Sequence, residues 1–182
     1  LVVAAFLAFA VPSARAAVVI QLDMPALVDS SDLIFHGTVE EVESENLSRT
    51  KMPQLVTNVT FTVSRVLKGR LSNPQFNLRL IGGKGKKHSL SIPGLPRFKK
   101  GEEVVMFLEW TGTGYAVNGL GQGKYTVIRD EEGRKVARRN FGDLTLVVRQ
   151  PGEPLTKAPQ AKPAPPELLE DLLENVKQLH KR

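Results

Sequence analysis

Residues 58–63 read NVTFTV, a strict alternation of polar and apolar side chains. Val59, Phe61 and Val63 share one face and the polar residues share the other, which is the period of a half-buried β-strand. Similar short runs recur as far as Val148, separated by glycine-rich and charged turns, with no segment of helical period among them. The sequence therefore predicts an array of strands that forms a small β-barrel or sandwich.

The strands can be placed by their apolar positions and by the turns between them. The predicted spans are residues 33–39, 55–67, 76–80, 103–110, 115–118, 124–129 and 144–149, with a short segment near residues 90–92. The apolar parity of the first strand changes at Val42, which predicts a β-bulge near Glu40 and Glu41. Residues 104–108 read VVMFL, and so continuous an apolar run predicts a strand covered on both faces.

Strands without intervening helices pair antiparallel, as in a Greek-key barrel or sandwich. Gly37, Gly121 and Gly123 suit the tight bends that a small barrel requires. The number of long strands favours an OB-like barrel over an immunoglobulin-like sandwich. A sandwich would favour a tryptophan buried between two sheets, and Trp110 at a strand end does not decide between the two.

The first sixteen residues have a different composition. Residues 1–11 are almost wholly apolar, and Ala14 and Ala16 are the small residues of a signal-peptide cleavage site. The run is shorter than the ~20 apolar residues of a transmembrane helix, and no later segment approaches that length. We expect a secretory signal peptide at residues 1–16 and a mature protein, periplasmic or secreted from a bacterium, that begins near Ala17.

Cysteine is absent from the chain. Its absence excludes disulfides, thiolate catalysis and cysteine-ligated zinc, so stability must come from core packing. A bacterial envelope or extracellular setting fits this composition better than a secreted eukaryotic module. Residues 17–150 are enough for one domain with a single core and too few for two.

Composition changes again after residue 150. Residues 151–166 contain six prolines and predict a stiff, extended linker that forms neither a ladder nor a helix. Residues 167–182 predict a helix, with acidic residues early and basic residues late, as the helix dipole favours. Its apolar stripe consists of Leu168, Leu169, Leu172, Leu173, Val176 and Leu179. We expect this stripe to dock on the barrel; the alternative is a helix held out for another protein.

Four segments together resemble a known group of proteins. They are residues 31–43 (SDLIFHGTVEEVE), 57–69 (TNVTFTVSRVLKG), 96–109 (PRFKKGEEVVMFLE) and 119–127 (GLGQGKYTV). The pattern resembles small exported bacterial proteins of unknown function, and it is similar to the netrin-like, OB-fold domain of tissue inhibitors of metalloproteinases. The resemblance implies an OB-like fold. It also implies an alternative function, in which the N-terminal segment and neighbouring loops plug a metalloprotease cleft.

The resemblance does not carry the inhibitors' mechanism with it. Those proteins chelate the protease zinc through an N-terminal cysteine, and disulfides staple their barrels. This chain has no cysteine, so no residue can be assigned that role.

The sequence contains no recognisable catalytic or metal-binding pattern. The three histidines, His36, His88 and His180, have no partner at i, i+4 and no neighbouring ligand cluster, so no zinc site is predicted. His36 lies opposite the apolar face of its strand and is predicted to be a surface residue rather than a general base. Residues 82–87 read GGKGKK, which lacks the serine or threonine of a phosphate-binding loop. We therefore expect no enzyme activity, no cofactor and no metal.

Adjacent acids occur at residues 40–41, 102–103 and 131–132. Consecutive strand residues face opposite sides, so these pairs are not expected to act together as acid and base. The sequence predicts solvated turns at all three, with a hairpin turn at residues 131–133.

The strongest local feature of the sequence is the charge of residues 83–101, which we call the basic segment. It contains no acidic residue and seven basic ones, Lys84, Lys86, Lys87, His88, Arg97, Lys99 and Lys100. The net charge is +6, or +5 once Arg15 leaves with the signal peptide, so this segment accounts for the whole excess. Such a segment concentrates a positive field, although a loop that only keeps the protein soluble has the same composition.

The basic segment is the predicted binding site. In the envelope its partners would be a secreted protease or another envelope protein, or an anionic polysaccharide or lipid surface. Nucleic acid is not expected, because Phe98 is the only aromatic residue there to stack on bases. The sequence thus predicts an exported, non-enzymatic binding module, with the metalloprotease-inhibitor-like protein as the alternative.

Overall fold

The computed structural model describes residues 17–47, 54–86, 88–141, 144–148, 156–157 and 165–181. Most of the described elements are strands. They are β1 (Ala17–Ile20), β2 (Leu33–Asn46), β3 (Leu55–Lys68), β4 (Gln75–Ile81), β5 (Gly83–Lys84), β6 (Ser89–Leu90), β7 (Glu103–Trp110), β8 (Tyr115–Val117), β9 (Lys124–Arg129), β10 (Lys135–Arg139), β11 (Leu144–Val148), β12 (Thr156–Lys157) and β13 (Glu167–Leu168). The helices are α1 (Met24–Ser30), α2 (Leu169–His180) and one 3₁₀ turn (Leu120–Gly123).

The main sheet has the strand order β13-β10-β9-β7-β2-β3-β4, with β8 also paired to β7, and every ladder in it is antiparallel. The mostly-β, antiparallel expectation is therefore confirmed for this sheet. At one side the sheet curls until Phe76 of β4 contacts Tyr115 of β8, with ring centroids 5.6 Å apart. Within the described residues no ladder joins those two strands, so closure into an OB-like barrel stays a prediction.

Strand β2 contains the predicted bulge. Its register with β3 shifts between Val39 and Glu41, which leaves Glu40 without a ladder partner, and it also shifts between His36 and Gly37. At Gly37 the backbone of β3 comes so close that an added Cβ would lie 2.5 Å from the carbonyl oxygen of Thr62. These irregularities bend the strand, so that it pairs with β7 over its first half and with β3 along its whole length.

Strand β7 lies between two apolar clusters. Val104, Met106 and Leu108 belong to the inner cluster, on the concave side of the curled sheet, where the rings of Phe35, Phe61 and Phe76 also pack. Val105 and Phe107 belong to the outer cluster, on the other face. The prediction that both faces of this strand are covered is confirmed.

The C-terminal helix covers the outer face. Leu169, Leu172, Leu173 and Val176 are buried there against the sheet and helix α1. The expected docking is thus observed, and the alternative of a helix held away from the domain is wrong. The helix begins later than predicted: Leu168 lies in β13, which pairs with β10, and its side chain is 38% exposed.

The segment before β2 was not predicted to be structured. It contains β1 and the short helix α1, which begins after Asp23, whose carboxylate accepts a hydrogen bond from the backbone N–H of Ala26 at 2.9 Å. Strand β1 pairs with β11 in parallel, from Ala17 beside Leu144 to Ile20 beside Val147. The expectation of wholly antiparallel pairing is therefore wrong at this small second sheet.

Parts of the remaining predictions lie outside the described residues. These are the signal peptide at residues 1–16 and most of the linker, although residues 156–157 of that linker form β12 beside β11, contrary to the prediction that it forms no ladder.

Among the helices of the described part of the chain, none combines the length and hydropathy needed to cross a bilayer. Trp110 is 53% exposed and is not a tryptophan buried between sheets.

Candidate functional site

The basic segment folds back over the end of the curled sheet. After β4, Gly82 and Gly83 adopt φ values of 100° and 147°, which side chains with a Cβ rarely adopt. Strands β5 and β6 then form a two-residue hairpin, with Gly83 opposite Leu90 and Lys84 opposite Ser89. The chain returns through Gly94 to the start of β7, so the segment covers the mouth of the inner cluster.

A cavity of about 550 Å³ lies between this segment and strands β2 to β4. We call it the basic groove. Its apolar lining comprises Val42, Leu80, Ile81, Leu90, Ile92, Leu95, Pro96 and Phe98. Lys84 and Arg97, from the two ends of the segment, also line it, together with hydroxyl groups such as that of Ser91. The groove thus combines apolar walls with two cationic side chains.

The structure divides the predicted site residues into two groups. Lys84, Lys86 and His88 line a neighbouring cavity of about 500 Å³ at the β5–β6 hairpin. Lys99 and Lys100 lie in the exposed turn before β7 and line neither cavity. Arg97 lies near the second group and lines the basic groove, where its guanidinium is 3.5 Å from the hydroxyl of Ser91. Lys87 lies outside the described residues.

The described lysines of this segment are exposed and form no ion pair with another described residue. Among the described residues, Lys84, Lys86, Lys99 and Lys100 form no ion pair, whereas Arg79, Lys124 and Lys135 each contact a carboxylate. Some cations elsewhere on the sheet are thus neutralised by neighbours, whereas these four lysines are not neutralised by any described residue.

A buried ion pair anchors the returning end of the segment. The ammonium of Lys124, on β9, donates to the Glu102 carboxylate at 2.7 Å and to the backbone carbonyl of Arg97 at 2.5 Å. The same nitrogen lies 4.4 Å from the centre of the Phe98 ring, a cation–π distance. Burial lowers the pKa of Lys124, and the hydrogen bond to Glu102 opposes that shift. Residues 97–102, which include the exposed Lys99 and Lys100, are therefore fixed to the sheet.

The sequence did not indicate this anchor. Glu102 was expected in a solvated turn, but its side chain is only 16% exposed, and it also accepts a hydrogen bond from Thr126 at 3.0 Å. The expectation of a solvated pair is likewise wrong for Glu103. The two carboxylates do face opposite sides, as their succession in the chain predicted, because Glu103 contacts His36 and Lys135 on the outer face.

The environment of His36 also differs from the sequence prediction. Its residue is 8% exposed, so the prediction of a surface histidine is wrong: the outer face that it occupies is covered by α2. Its Nε2 lies 2.8 Å from the Glu103 carboxylate, which also accepts from Lys135 at 2.8 Å. Burial opposes ionisation of Glu103, but the hydrogen bonds from Lys135 and His36 outweigh it and lower the pKa of this carboxyl. The cluster tethers β2, β7 and β10 together, away from the basic groove.

Within the described residues, no group of three or more histidine, aspartate or glutamate side chains is arranged to hold a metal ion. Comparison of the chain with protein-family models, curated proteins and solved structures gives no significant match.

Proposed function

We propose that this protein is an exported, non-enzymatic binding module that holds an anionic envelope ligand at the basic segment. The observation that carries the proposal is a set of exposed lysines beside the basic groove that form no ion pair within the described residues, namely Lys84, Lys86, Lys99 and Lys100. Like charges kept close together without counter-charges repel one another, and an anionic ligand relieves that repulsion.

The lining of the groove limits the kind of ligand. Lys84 and Arg97 reach one cavity whose other walls are largely apolar. A ligand that carries anionic groups on a partly apolar framework would satisfy both features, since apolar area is removed from water while the charges approach the cations. The anchor of Lys124 on Glu102 supports a pre-formed site, because it fixes the returning chain before any ligand arrives.

We also propose that the curled sheet is an OB-like barrel. The approach of Phe76 to Tyr115 supports this, because contact between those two strands is what closure would require. OB-like barrels use the loops at the mouth of the barrel to bind extended ligands, and the basic segment occupies that position here.

Binding to a soluble polyanion tests the function. Dextran sulfate, titrated into the protein at increasing salt, is expected to bind with an affinity that falls as ionic strength rises. The double variant Lys84→Glu, Lys86→Glu should lose at least about tenfold in affinity. A matched control, Arg70→Glu with Arg138→Glu, changes the net charge by the same amount at exposed positions outside the basic segment. Equal losses in both double variants, or no salt-dependent binding at all, would refute the proposal.

Export is tested separately. We propose that residues 1–16 are removed and that the mature chain begins near Ala17. Mass spectrometry of the protein recovered from the envelope fraction of the producing bacterium should give that mature N-terminus. An intact N-terminus in the cytoplasm would contradict it.

One observation favours the metalloprotease-inhibitor-like function as a second candidate. Strand β1, which starts at Ala17, lies against the returning part of the basic segment: a Cβ added to Gly94 would be 3.3 Å from that of Ala17. The N-terminal segment and a neighbouring loop are therefore on one surface, as that hypothesis requires. Secreted metalloproteases incubated with micromolar mature protein should be slowed, and unchanged turnover across a panel would count against it.

A further inference from the structure

We propose that the hairpin end of the sheet docks on a bilayer surface that contains anionic phospholipid. The inference rests on the proposed function and names its partner. The surface, which we call the basic tip, consists of Leu47, Ile81, Lys84, Lys86 and Leu90. The register of β2 with β3 and of β3 with β4 places Leu47 and Ile81 at one end of the main sheet. The β5–β6 hairpin, which carries Lys84 and Leu90, follows Ile81 directly and contacts β2 and β3 there.

The apolar side chains of the basic tip are unusually exposed. Ile81 is 69% exposed, Leu47 45% and Leu90 40%. Single exposed hydrophobic residues are common and need no explanation. Three at the end of the main sheet and on the adjoining β5–β6 hairpin, next to lysines that form no ion pair with a described residue, form a surface with both apolar and cationic character.

The charge at the basic tip is mainly positive. The segment from Gly83 to Gly101 has no acidic residue. Two carboxylates of β2 lie nearby, at Glu43 and Glu45. Glu45 accepts a hydrogen bond from Asn58 at 2.7 Å and lies 3.8 Å from the guanidinium of Arg79, so its charge is partly balanced. Glu43 is exposed and is the acidic group on β2 that a membrane would have to tolerate.

A bilayer explains both properties of the tip, and a hydrated polyanion explains only one. Lysines near an anionic membrane gain electrostatic energy from the headgroups, while leucine and isoleucine side chains gain by entering the interface. A soluble polyanion such as a polysaccharide offers the exposed apolar side chains little apolar surface. The exposure of Ile81 and Leu90 therefore favours the membrane among the anionic surfaces of the envelope.

Vesicle co-sedimentation tests the proposal. The full chain, without its signal peptide, should bind phosphatidylcholine vesicles that contain phosphatidylglycerol and should bind pure phosphatidylcholine weakly. Lys84→Ala and Lys86→Ala should each lower the partition constant about fivefold. The double variant Ile81→Ser, Leu90→Ser should lower it about tenfold. The single variant Leu47→Ser, at a tip residue that does not line the basic groove, should lower it about fivefold while leaving dextran sulfate binding unchanged.

The matched control is Val66→Ser with Ile128→Ser, two side chains that are each 41% exposed and lie outside the basic tip. It should leave vesicle binding unchanged. Salt-dependent binding to dextran sulfate without binding to the anionic vesicles would overturn this inference and leave the proposed function standing. Loss of both would overturn both. Equal effects of the tip and control double variants would also refute docking through the tip.

Discussion

Removing the ammonium of Lys124 should destabilise the domain more than any surface charge change. The side chains of Lys124 and Glu102 are 10% and 16% exposed, and removing one partner of a buried pair costs about 3–5 kcal/mol. In Lys124→Met, Glu102 keeps its hydrogen bonds from Thr126 at 3.0 Å and from the backbone N–H of Lys99 at 3.1 Å. The cost should therefore lie near the lower limit, at about 3 kcal/mol.

Urea denaturation and thermal melting measure the loss of unfolding free energy in Lys124→Met. A loss of this size lowers the melting temperature of a domain of this length by about 6–12 °C. In the double variant Lys124→Met, Glu102→Gln, the loss of unfolding free energy should be smaller than the sum of the losses in the two single variants by roughly 2 kcal/mol, because both substitutions remove the same contact. The control is Lys135→Met, whose side chain is 43% exposed beside Glu103 and should cost less than about 1 kcal/mol. A loss below about 1 kcal/mol for Lys124→Met, or strict additivity in the double variant, would refute the anchoring argument.

Three further outcomes follow from the sheet and its covering helix. The variant Glu103→Gln should flatten the acid pH dependence of stability: the pKa of Glu103 is lowered on folding, so its contribution is complete above the ordinary value of 4.5 and lost as the pH falls through the folded pKa. Urea titrations of both proteins from about pH 3 to 7 check this, and parallel curves would contradict it. Gly37→Ala should cost at least about 2 kcal/mol in urea denaturation, since its Cβ would lie 2.5 Å from a backbone oxygen of Thr62. Gly101→Ala, with φ +79° and nothing within 4 Å, should cost only about 1 kcal/mol. Leu172→Ala removes a side chain with 0% exposure between helix and sheet and should cost about 3 kcal/mol in the same assay; a loss below about 1 kcal/mol would show that α2 contributes little.

Local patterns were sufficient for most strands of the main sheet. The bulge at Glu40 is visible in the sequence because a half-buried strand must change apolar parity when one residue is inserted. The bounds of β7 were predicted correctly from five consecutive apolar residues between charged and glycine-rich neighbours. In both cases the strand is formed by burial of alternate or successive side chains, and the apolar or polar character of each residue in the segment indicates whether that side chain is buried.

The elements that were not predicted depend on distant partners. Strand β1 has four residues and owes its conformation to β11, which lies more than a hundred residues later in the chain. Helix α1 has seven residues, too few to show a helical period. The local signal for α1 was the cap at Asp23 followed by Pro25 in the first turn, and that pattern alone would have placed its start.

The two errors at charged positions have one cause, which is that burial of a polar side chain is decided by what covers the sheet. A strand covered on one side places a residue opposite its apolar face in water, and His36 was assigned on that basis. Yet the sequence also predicted that β7 is covered on both faces and that the C-terminal helix docks on the barrel. Its neighbour β2 then has to pass under the same cover, which buries His36 beside Glu103. Applying both predictions together would have placed the histidine correctly only with the pairing of β2 and β7, which the sequence did not predict. The same reasoning does not identify the lysines of the basic tip as a site, because exposed lysines that form no ion pair among the described residues are equally typical of a solvated surface.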